Sequence, residues 1–310
     1  MEKEPIIKNT KIYILMIIAT IFWAGAFVAG KIGISEMSPV QLTFYRFLFA
    51  SILIFIIMIK KEKSWRIESC DIHKIIIMGI VGMVGYHIFF FMALRFTTVG
   101  NASIIAAANP MITMILSIIF LNEKLSFRRV AIFVMALTGV LLTLTGWELK
   151  TLFSMDLKKG ELIMLLGTTC LAVYTIMVKR MVKKYSPLVL TTYCFIVCAF
   201  AMFPFALREG LLPDVSLKAW LLCFYMAVFA SVFAYLVQQM AIKQIGASRT
   251  SLFINLVPFF SVALSFVVLG EKTSLLNILS GVIIVTAVYL NSKTPIEIKG
   301  TKKNDSKELI

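Results

Sequence analysis

The stretch NASIIAAANPMITMILSIIFLNEKLS, from Asn101 to Ser126, occurs a second time as TSLFINLVPFFSVALSFVVLGEKTS, from Thr250 to Ser274. A constant offset of 148 residues aligns the two copies without a gap. It places Ser103, Pro110, Glu123, Lys124 and Ser126 on Ser251, Pro258, Glu271, Lys272 and Ser274. The same offset carries Lys31 onto Lys179 and Tyr45 onto Tyr193. The repeat therefore spans nearly the whole chain, which consists of two similar halves.

Composition identifies the solvent of these halves as lipid. The 310 residues are 60% hydrophobic and only 15% charged, with a mean hydropathy of +0.92, whereas soluble domains are roughly half apolar and a quarter charged. Ten apolar runs are long enough to cross a bilayer: about 12–33, 40–59, 74–94, 99–121, 128–147, 160–179, 188–207, 217–239, 249–269 and 275–291. The alternation of barrel strands is absent, so the runs are predicted helices.

The distribution of charge predicts the topology. Most of the 31 lysines and arginines fall in short loops on the side of the N-terminus, which places both termini in the cytoplasm by the positive-inside rule. Topology therefore explains the net charge of +15, and nucleic acid is not a predicted partner. The predicted location is the bacterial inner membrane.

Five helices in each half, an odd number, mean that the halves enter the membrane from opposite sides. The predicted fold class is an all-α membrane protein with ten transmembrane helices as two inverted five-helix repeats, an arrangement that supports alternating access. The predicted divisions are 12–147 and 160–291 for the repeats, 148–159 for the connecting loop and 292–310 for a polar cytoplasmic tail.

Pro110 and Pro258 are predicted kinks near the middle of the fourth and ninth helices. Proline has no N–H, so the carbonyl four residues earlier loses its helical partner at a depth where unpaired groups are costly. Two sets with i, i+4, i+7 spacing each share a helical face: Ser103, Ala107 and Pro110; Ser251, Asn255 and Pro258. These faces either line a central pocket or only permit close packing; an intramembrane asparagine favours the pocket.

Several other polar and aromatic residues lie within the apolar runs. The offset pairs His87 with Tyr235 and Phe91 with Gln239. His87 is either a proton-coupling site or a neutral packing histidine. Trp23 lies too deep for an interfacial anchor, which favours a pocket wall. For Lys31 and Arg46 we expect snorkelling or a structural contact. The predicted substrate-binding residues are Trp23, His87, Asn101, Asn109, Tyr174, Tyr235, Gln239 and Asn255.

Other motifs carry structural rather than catalytic predictions. Glu123 and Glu271 are predicted to cap the following helices, and Gly79, Gly82 and Gly85 to form a helix-packing groove. The five cysteines form no CxxC pair and are predicted packing residues. Walker, HExxH and GxSxG motifs are absent from the sequence. We therefore predict no enzyme activity, catalytic residue, metal or cofactor.

Several stretches of the sequence follow a known family pattern: FWAGAFVAGKIGI (22–34), SPVQLTFYRF (38–47), ALRFTTVGNASIIAAANP (93–110) and NEKLS (122–126), with the echoes AIKQIGASRTSLFINLVP (241–258) and GEKTSLLNILSG (270–281). In these stretches the sequence resembles the EamA-type permeases of the drug/metabolite transporter superfamily. The resemblance covers about 12–291. It implies export of small metabolites, often amino acids, through a cavity lined by helices 1, 3, 4, 6, 8 and 9. Each half departs from the family pattern in one hairpin glycine: Gly139 and Gly281 are present, whereas Phe133 and Ala287 replace the others.

The predicted function is a secondary transporter that moves a small, amino-acid-like metabolite outward. Expected partners are the metabolite, protons as a candidate coupling ion and membrane lipids. Two alternatives stay open: a flippase for a lipid or lipid-linked intermediate, and an uptake carrier of the same fold.

Overall fold

The protein is helical throughout the part that its computed structural model describes, which comprises residues 4–97, 99–121, 126–145, 159–211, 214–269, 279, 282–283, 286–287 and 289–290. The helices are α1 (Glu4–Gly33), α2 (Pro39–Lys61), α3 (Ser69–Phe96), α4 (Val99–Ala106), α5 (Asn109–Leu121), α6 (Phe127–Thr145), α7 (Lys159–Met181), α8 (Pro187–Glu209), α9 (Leu217–Ile245), α10 (Ala247–Leu252) and α11 (Leu256–Leu269).

Six of these helices, α1, α2, α3, α7, α8 and α9, are long and apolar enough to cross a membrane. They correspond to predicted runs 1, 2, 3, 6, 7 and 8, and the all-helical class is confirmed. Most of the tenth predicted run, 275–291, lies outside the described residues. The count of ten transmembrane helices therefore stays a prediction.

The repeat is visible in the backbone of α3 and α9. Each contains a π-helical segment, at Gly79–Gly85 and at Met226–Phe233, and the offset of 148 superimposes the two. The glycines of the first segment face the second half. A Cβ at Gly82 would enter the ring of Tyr174, and one at Gly79 would overlap the side chain of Val197. The predicted packing groove is confirmed, because side chains of the second half approach the α3 backbone at positions where glycine has no side chain.

Both predicted proline kinks coincide with breaks between separate helices. Ala107 and Ala108 form a turn between α4 and α5, where the Ala108 N–H bonds the Ile105 carbonyl at 3.0 Å. Pro110 is the second residue of α5, a first-turn position that needs no N–H. The second half breaks at a 3₁₀ turn, Phe253–Asn255, and Pro258 is the third residue of α11. Each run is therefore two helices rather than one bent helix.

Contacts across the halves occur at both ends of the antiparallel pair α2 and α8. The "Lys184 end" comprises Glu62, Glu68, Asp71, Lys184, Tyr185 and Ser186. There Ser186 Oγ donates to Glu62 at 2.5 Å and Lys184 is paired with Glu68. The "Glu36 end" comprises Glu36, Ser38, Gln41, Glu209 and Ser216. There Ser38 Oγ donates to Glu209 and Ser216 Oγ donates to Glu36 at 2.9 Å. Since α2 has 23 residues, the ends lie about 35 Å apart.

The two lysines that the offset equates make the same contact. Lys31 Nζ donates to the Leu94 carbonyl at 2.5 Å, and Lys179 Nζ donates to the Ile242 carbonyl at 3.2 Å. Each cation meets a carbonyl in the last turn of a long helix, the end where the helix dipole favours a positive charge. The structural contact expected of Lys31 is confirmed.

Candidate functional site

A small cavity lies where the two halves meet. It measures about 30 Å³, room for one or two water molecules. The first half contributes Trp23, Ala26, Phe27, Arg46, Tyr86, His87, Phe90 and Ala106, and the second half contributes Thr168, Leu171, Tyr235, Gln238, Ile254 and Val257. The wall includes residues from predicted helices 1, 3, 4, 6, 8 and 9, as the resemblance implies, and from the second helix in addition.

The equivalent residues His87 and Tyr235 meet at this cavity. Tyr235 Oη lies 3.4 Å from His87 Nε2, and the ring centroids are 5.8 Å apart. His87 Nδ1 lies 2.8 Å from the Met83 carbonyl, which only accepts, so Nδ1 carries the proton. Nε2 is then free to accept from the tyrosine hydroxyl. A neutral imidazole satisfies both contacts, and because the two residues are related by the repeat, they lie where the halves face each other.

Trp23 lies in the cavity wall, as we expected from its position deep in the first helix. Its Nε1 donates to the Ala230 carbonyl at 3.1 Å, and its ring meets Tyr235 edge-on at 5.9 Å. Ala230 belongs to the π-helical segment of α9. The Ala230 carbonyl of this segment thus accepts a hydrogen bond from a side chain of the other half. This bond holds the Trp23 indole in the cavity wall.

Tyr174 and Gln239 form a polar pair next to the cavity rather than in its lining. Gln239 Nε2 donates to Tyr174 Oη at 2.8 Å, and the Tyr174 ring lies 6.2 Å from that of Tyr235. Both side chains are fully buried. Gln239 Oε1 has no partner among the described residues. Tyr174 therefore packs against Tyr235 next to the cavity, and Gln239 Oε1 stays available as a hydrogen-bond acceptor between the helices.

The three asparagines have different surroundings. Asn109 is outside the cavity lining: its Nδ2 donates to the Thr168 carbonyl at 3.2 Å and its Oδ1 accepts from Thr113 at 3.3 Å, which ties the start of α5 to α7. Asn255 is buried beside the lining residue Ile254, and its Oδ1 has no partner in the described chain. The Asn101 side chain, like Glu123 and Glu271, lies outside the described residues.

Two lining residues were not among the predicted site residues. Arg46 is 2% exposed and donates from Nε to Ser231 Oγ at 2.8 Å, so of the two outcomes expected for it, snorkelling is wrong and a structural contact is confirmed. An arginine inside an apolar run is itself a functional signal, and the offset equates it with Cys194, so only the first half carries the charge. Gln238 lines the cavity in place of Gln239. Gln238 and Gln239 lie three and four residues after Tyr235, so both share a helical face with that lining residue.

Comparison with known proteins gives the family context. The model of the "EamA-like transporter family" matches residues 10–145 and 158–293. The chain is 32% identical over 292 residues to the "uncharacterized transporter YyaM" of Bacillus subtilis (strain 168), covering 92% of this chain and 94% of the relative. It is 21% identical to a "probable terminal-alkyne amino-acid exporter" of Streptantibioticus cattleyicolor, covering 91% and 94%. A solved crystal structure superposes with a TM-score of 0.72 at 18% identity, covering 91% and 96%, which shows a shared fold.

Proposed function

Because this chain belongs to the EamA-like transporter family, and so is a multi-pass membrane transporter, we propose that it exports a small amino-acid-like metabolite by alternating access. The substrate site is the cavity between the halves. Two inverted halves that tilt against each other expose such a site to one side of the membrane and then to the other.

The observation that carries this proposal is the contact of His87 with Tyr235 in the cavity wall, at 3.4 Å. The two positions are equivalent in the repeat, so the cavity lies at the junction about which inverted halves rearrange. A cavity of about 30 Å³ is far below the roughly 300 Å³ or more of ligand pockets. A metabolite therefore enters only after the halves separate at one end.

Aromatic and amide groups have separate roles in this proposal. Trp23 and Tyr235 cover the apolar part of the substrate, and amides bind its polar groups. Asn255 and Gln239 each retain a carbonyl oxygen without a partner in the described structure, which supports them over Asn109, whose amide is engaged. His87 is the candidate proton-coupling residue, since rearrangement at the Tyr235 contact would expose Nε2 to water and to protonation.

The amino-acid-like substrate and the outward direction draw support from the relative in Streptantibioticus cattleyicolor, whose name describes an amino-acid exporter. The two halves are in contact at both the Glu36 end and the Lys184 end. Both ends can therefore act as gates.

Counterflow in proteoliposomes tests the proposal. The full-length chain is reconstituted, and exchange of labelled amino acids is measured for wild type, Trp23→Ala and Trp220→Ala. Trp220 packs on Tyr45 at 4.8 Å and is outside the lining, so it is the matched control. We expect Trp23→Ala to reduce exchange by about tenfold or more, as loss of a central aromatic contact does, and Trp220→Ala to retain it.

Other outcomes separate the alternatives. Movement of labelled lipid without solute exchange would replace the exporter by a flippase. Accumulation of label inside intact cells that overproduce the protein, rather than depletion, would reverse the direction to uptake. Equal exchange by wild type and Trp23→Ala would remove the cavity as the substrate site.

A further inference from the structure

Arg46 places a positive charge in the wall of the cavity. It lies seven residues after the start of α2, about 10 Å along the helix axis, and it is 2% exposed. Its side chain does not reach out toward the helix end. It points between the halves, where Ser231 of α9 accepts a hydrogen bond from Nε at 2.8 Å.

The guanidinium lacks a carboxylate partner within the described chain. The ion pairs there join Lys74 to Asp71 and Lys184 to both Asp71 and Glu68. The guanidinium also lies over the Phe47 ring, 5.7 Å from its centroid. Nε is engaged by Ser231, and the two terminal nitrogens form a pair of donors with no hydrogen-bond partner among the described residues. A buried cation without a counter-ion is costly, and this pair of donors matches the two oxygens of a carboxylate.

The other lining residues indicate what the rest of a bound ligand must look like. Apolar and aromatic side chains predominate, among them Phe27, Phe90, Leu171 and Val257. Gln238 also lines the cavity, and its Oε1 has no partner in the described structure. That oxygen can accept a hydrogen bond from an ammonium or hydroxyl group. One guanidinium balances one negative charge, so a monoanionic carboxylate fits better than a phosphate dianion.

We propose that Arg46 binds the carboxylate of the transported solute and thereby restricts the substrate class to monocarboxylates with an apolar or aromatic part. This inference rests on the proposed function, because it concerns the same cavity. Ser231 is a positioning residue: it holds Nε and aims the terminal nitrogens into the cavity. A purely structural arginine would instead use the Ser231 contact only to join α2 to α9.

Acid and amide pairs test this assignment on the wild-type chain. The full-length protein in detergent is titrated with L-phenylalanine, 3-phenylpropionate and the primary amide of each, and binding is followed by calorimetry. We expect each acid to bind at least about tenfold more tightly than its amide, since a charge-assisted, two-point contact is lost. Equal Kd values for acid and amide, or no binding of either acid at millimolar concentration, would overturn the proposal.

Variants separate a binding role from a structural role. Arg46→Lys keeps the charge but loses the fork, and we expect the acid preference to fall by about tenfold. We expect Arg46→Gln to abolish the preference. Ser231→Ala removes the link between α2 and α9 and leaves the guanidinium in place. If Ser231→Ala lowers the melting temperature as much as Arg46→Gln while Arg46→Lys keeps the full acid preference, Arg46 is structural.

Flux distinguishes this inference from the function on which it rests. Exchange of amides or amines with no exchange of acids in proteoliposomes would leave a transporter but overturn the role of Arg46. Absence of exchange for all solutes, with acid-selective binding intact, would overturn the transport proposal and leave the carboxylate site standing.

Discussion

The Lys184 end and the Glu36 end make the same contact between equivalent positions, with different chemistry. The offset equates Lys184 with Glu36 and Glu68 with Ser216. At one end Lys184 is paired with Glu68 and, at 2.6 Å, with Asp71, whose side chain is 4% exposed. At the other end Glu36 accepts two hydrogen bonds from Ser216, at 2.7 and 2.9 Å.

This difference indicates that the two closures are not equally strong. The Lys184 end includes a buried carboxylate that also bonds Lys74 at 2.6 Å and Tyr185 at 2.8 Å, so opening it separates a connected set of charges. The Glu36 contact is exposed, and water can replace it at little cost. We therefore expect the Glu36 end to open more readily. In the orientation predicted from the sequence, that end faces away from the cytoplasm.

The largest expected effect comes from the packing of α3 of the first half against α7 of the second half. A Gly82→Val substitution places side-chain atoms inside the Tyr174 ring, and we expect a destabilisation of at least about 2 kcal/mol and loss of transport. Size-exclusion chromatography of the heated, detergent-solubilised protein measures it. Gly85→Ala is the control. Its Cβ would lie 3.2 Å from the Cys170 sulfur, a contact that a small shift of that side chain relieves, so we expect stability close to that of the wild type. Normal stability of Gly82→Val would mean that the halves do not pack as described.

A smaller effect is expected from isosteric substitutions at the two ends. Lys184→Met removes a cation from buried Asp71, and Glu36→Gln replaces an exposed carboxylate by an amide. We expect Lys184→Met to lower the apparent Tm by about 5 °C and Glu36→Gln by about 1 °C. Raising the salt concentration should reduce the effect of Lys184→Met, because the Lys184 and Glu68 side chains are 41% and 61% exposed and salt screens their attraction. An equal decrease for both variants would remove the predicted asymmetry.

The smallest effect is a response to alkaline pH. Hydrogen bonds to Asp71 and Glu68 raise the pKa of Lys184 above its ordinary 10.5, so its stabilisation is complete below pH 10.5 and is lost as pH rises through the raised value. Hydrogen bonds from Ser216 lower the pKa of Glu36, which stays ionised throughout. We expect alkali to loosen only the Lys184 end, as measured by the distance between spin labels at exposed positions 63 and 183. Equal loosening between positions 35 and 214 would contradict this.

Much of the architecture could be predicted because it depends on local sequence. Apolar run length gave the six long helices, and the offset of 148 related His87 to Tyr235, which the structure brings together. The depth of Trp23 in its helix was enough to place it in a wall. These features follow from helical geometry and from the repeat, so they need no knowledge of tertiary contacts.

The remaining site features depend on contacts that a single helix does not reveal. The break at Ala107–Ala108 turns Asn109 toward Thr168. Gln238 rather than Gln239 lines the cavity, although positions three and four residues after Tyr235 share one helical face. Arg46 has enough reach to snorkel, and only the position of Ser231 on another helix shows that it points inward. Features that depend on irregular backbone or on partners from another helix could therefore not be predicted from the sequence.

Distances at the two ends test alternating access most directly. Spin labels are placed at exposed positions 63 and 183 for the Lys184 end and at 35 and 214 for the Glu36 end, with exposed Cys70 replaced by serine. Pulsed electron paramagnetic resonance then measures both distances in the reconstituted protein. We predict that Lys184→Met lengthens the 63–183 distance and shortens the 35–214 distance, and that Glu36→Gln does the reverse. Simultaneous lengthening of both distances, or no response at the unmutated end, would contradict alternating access between the halves.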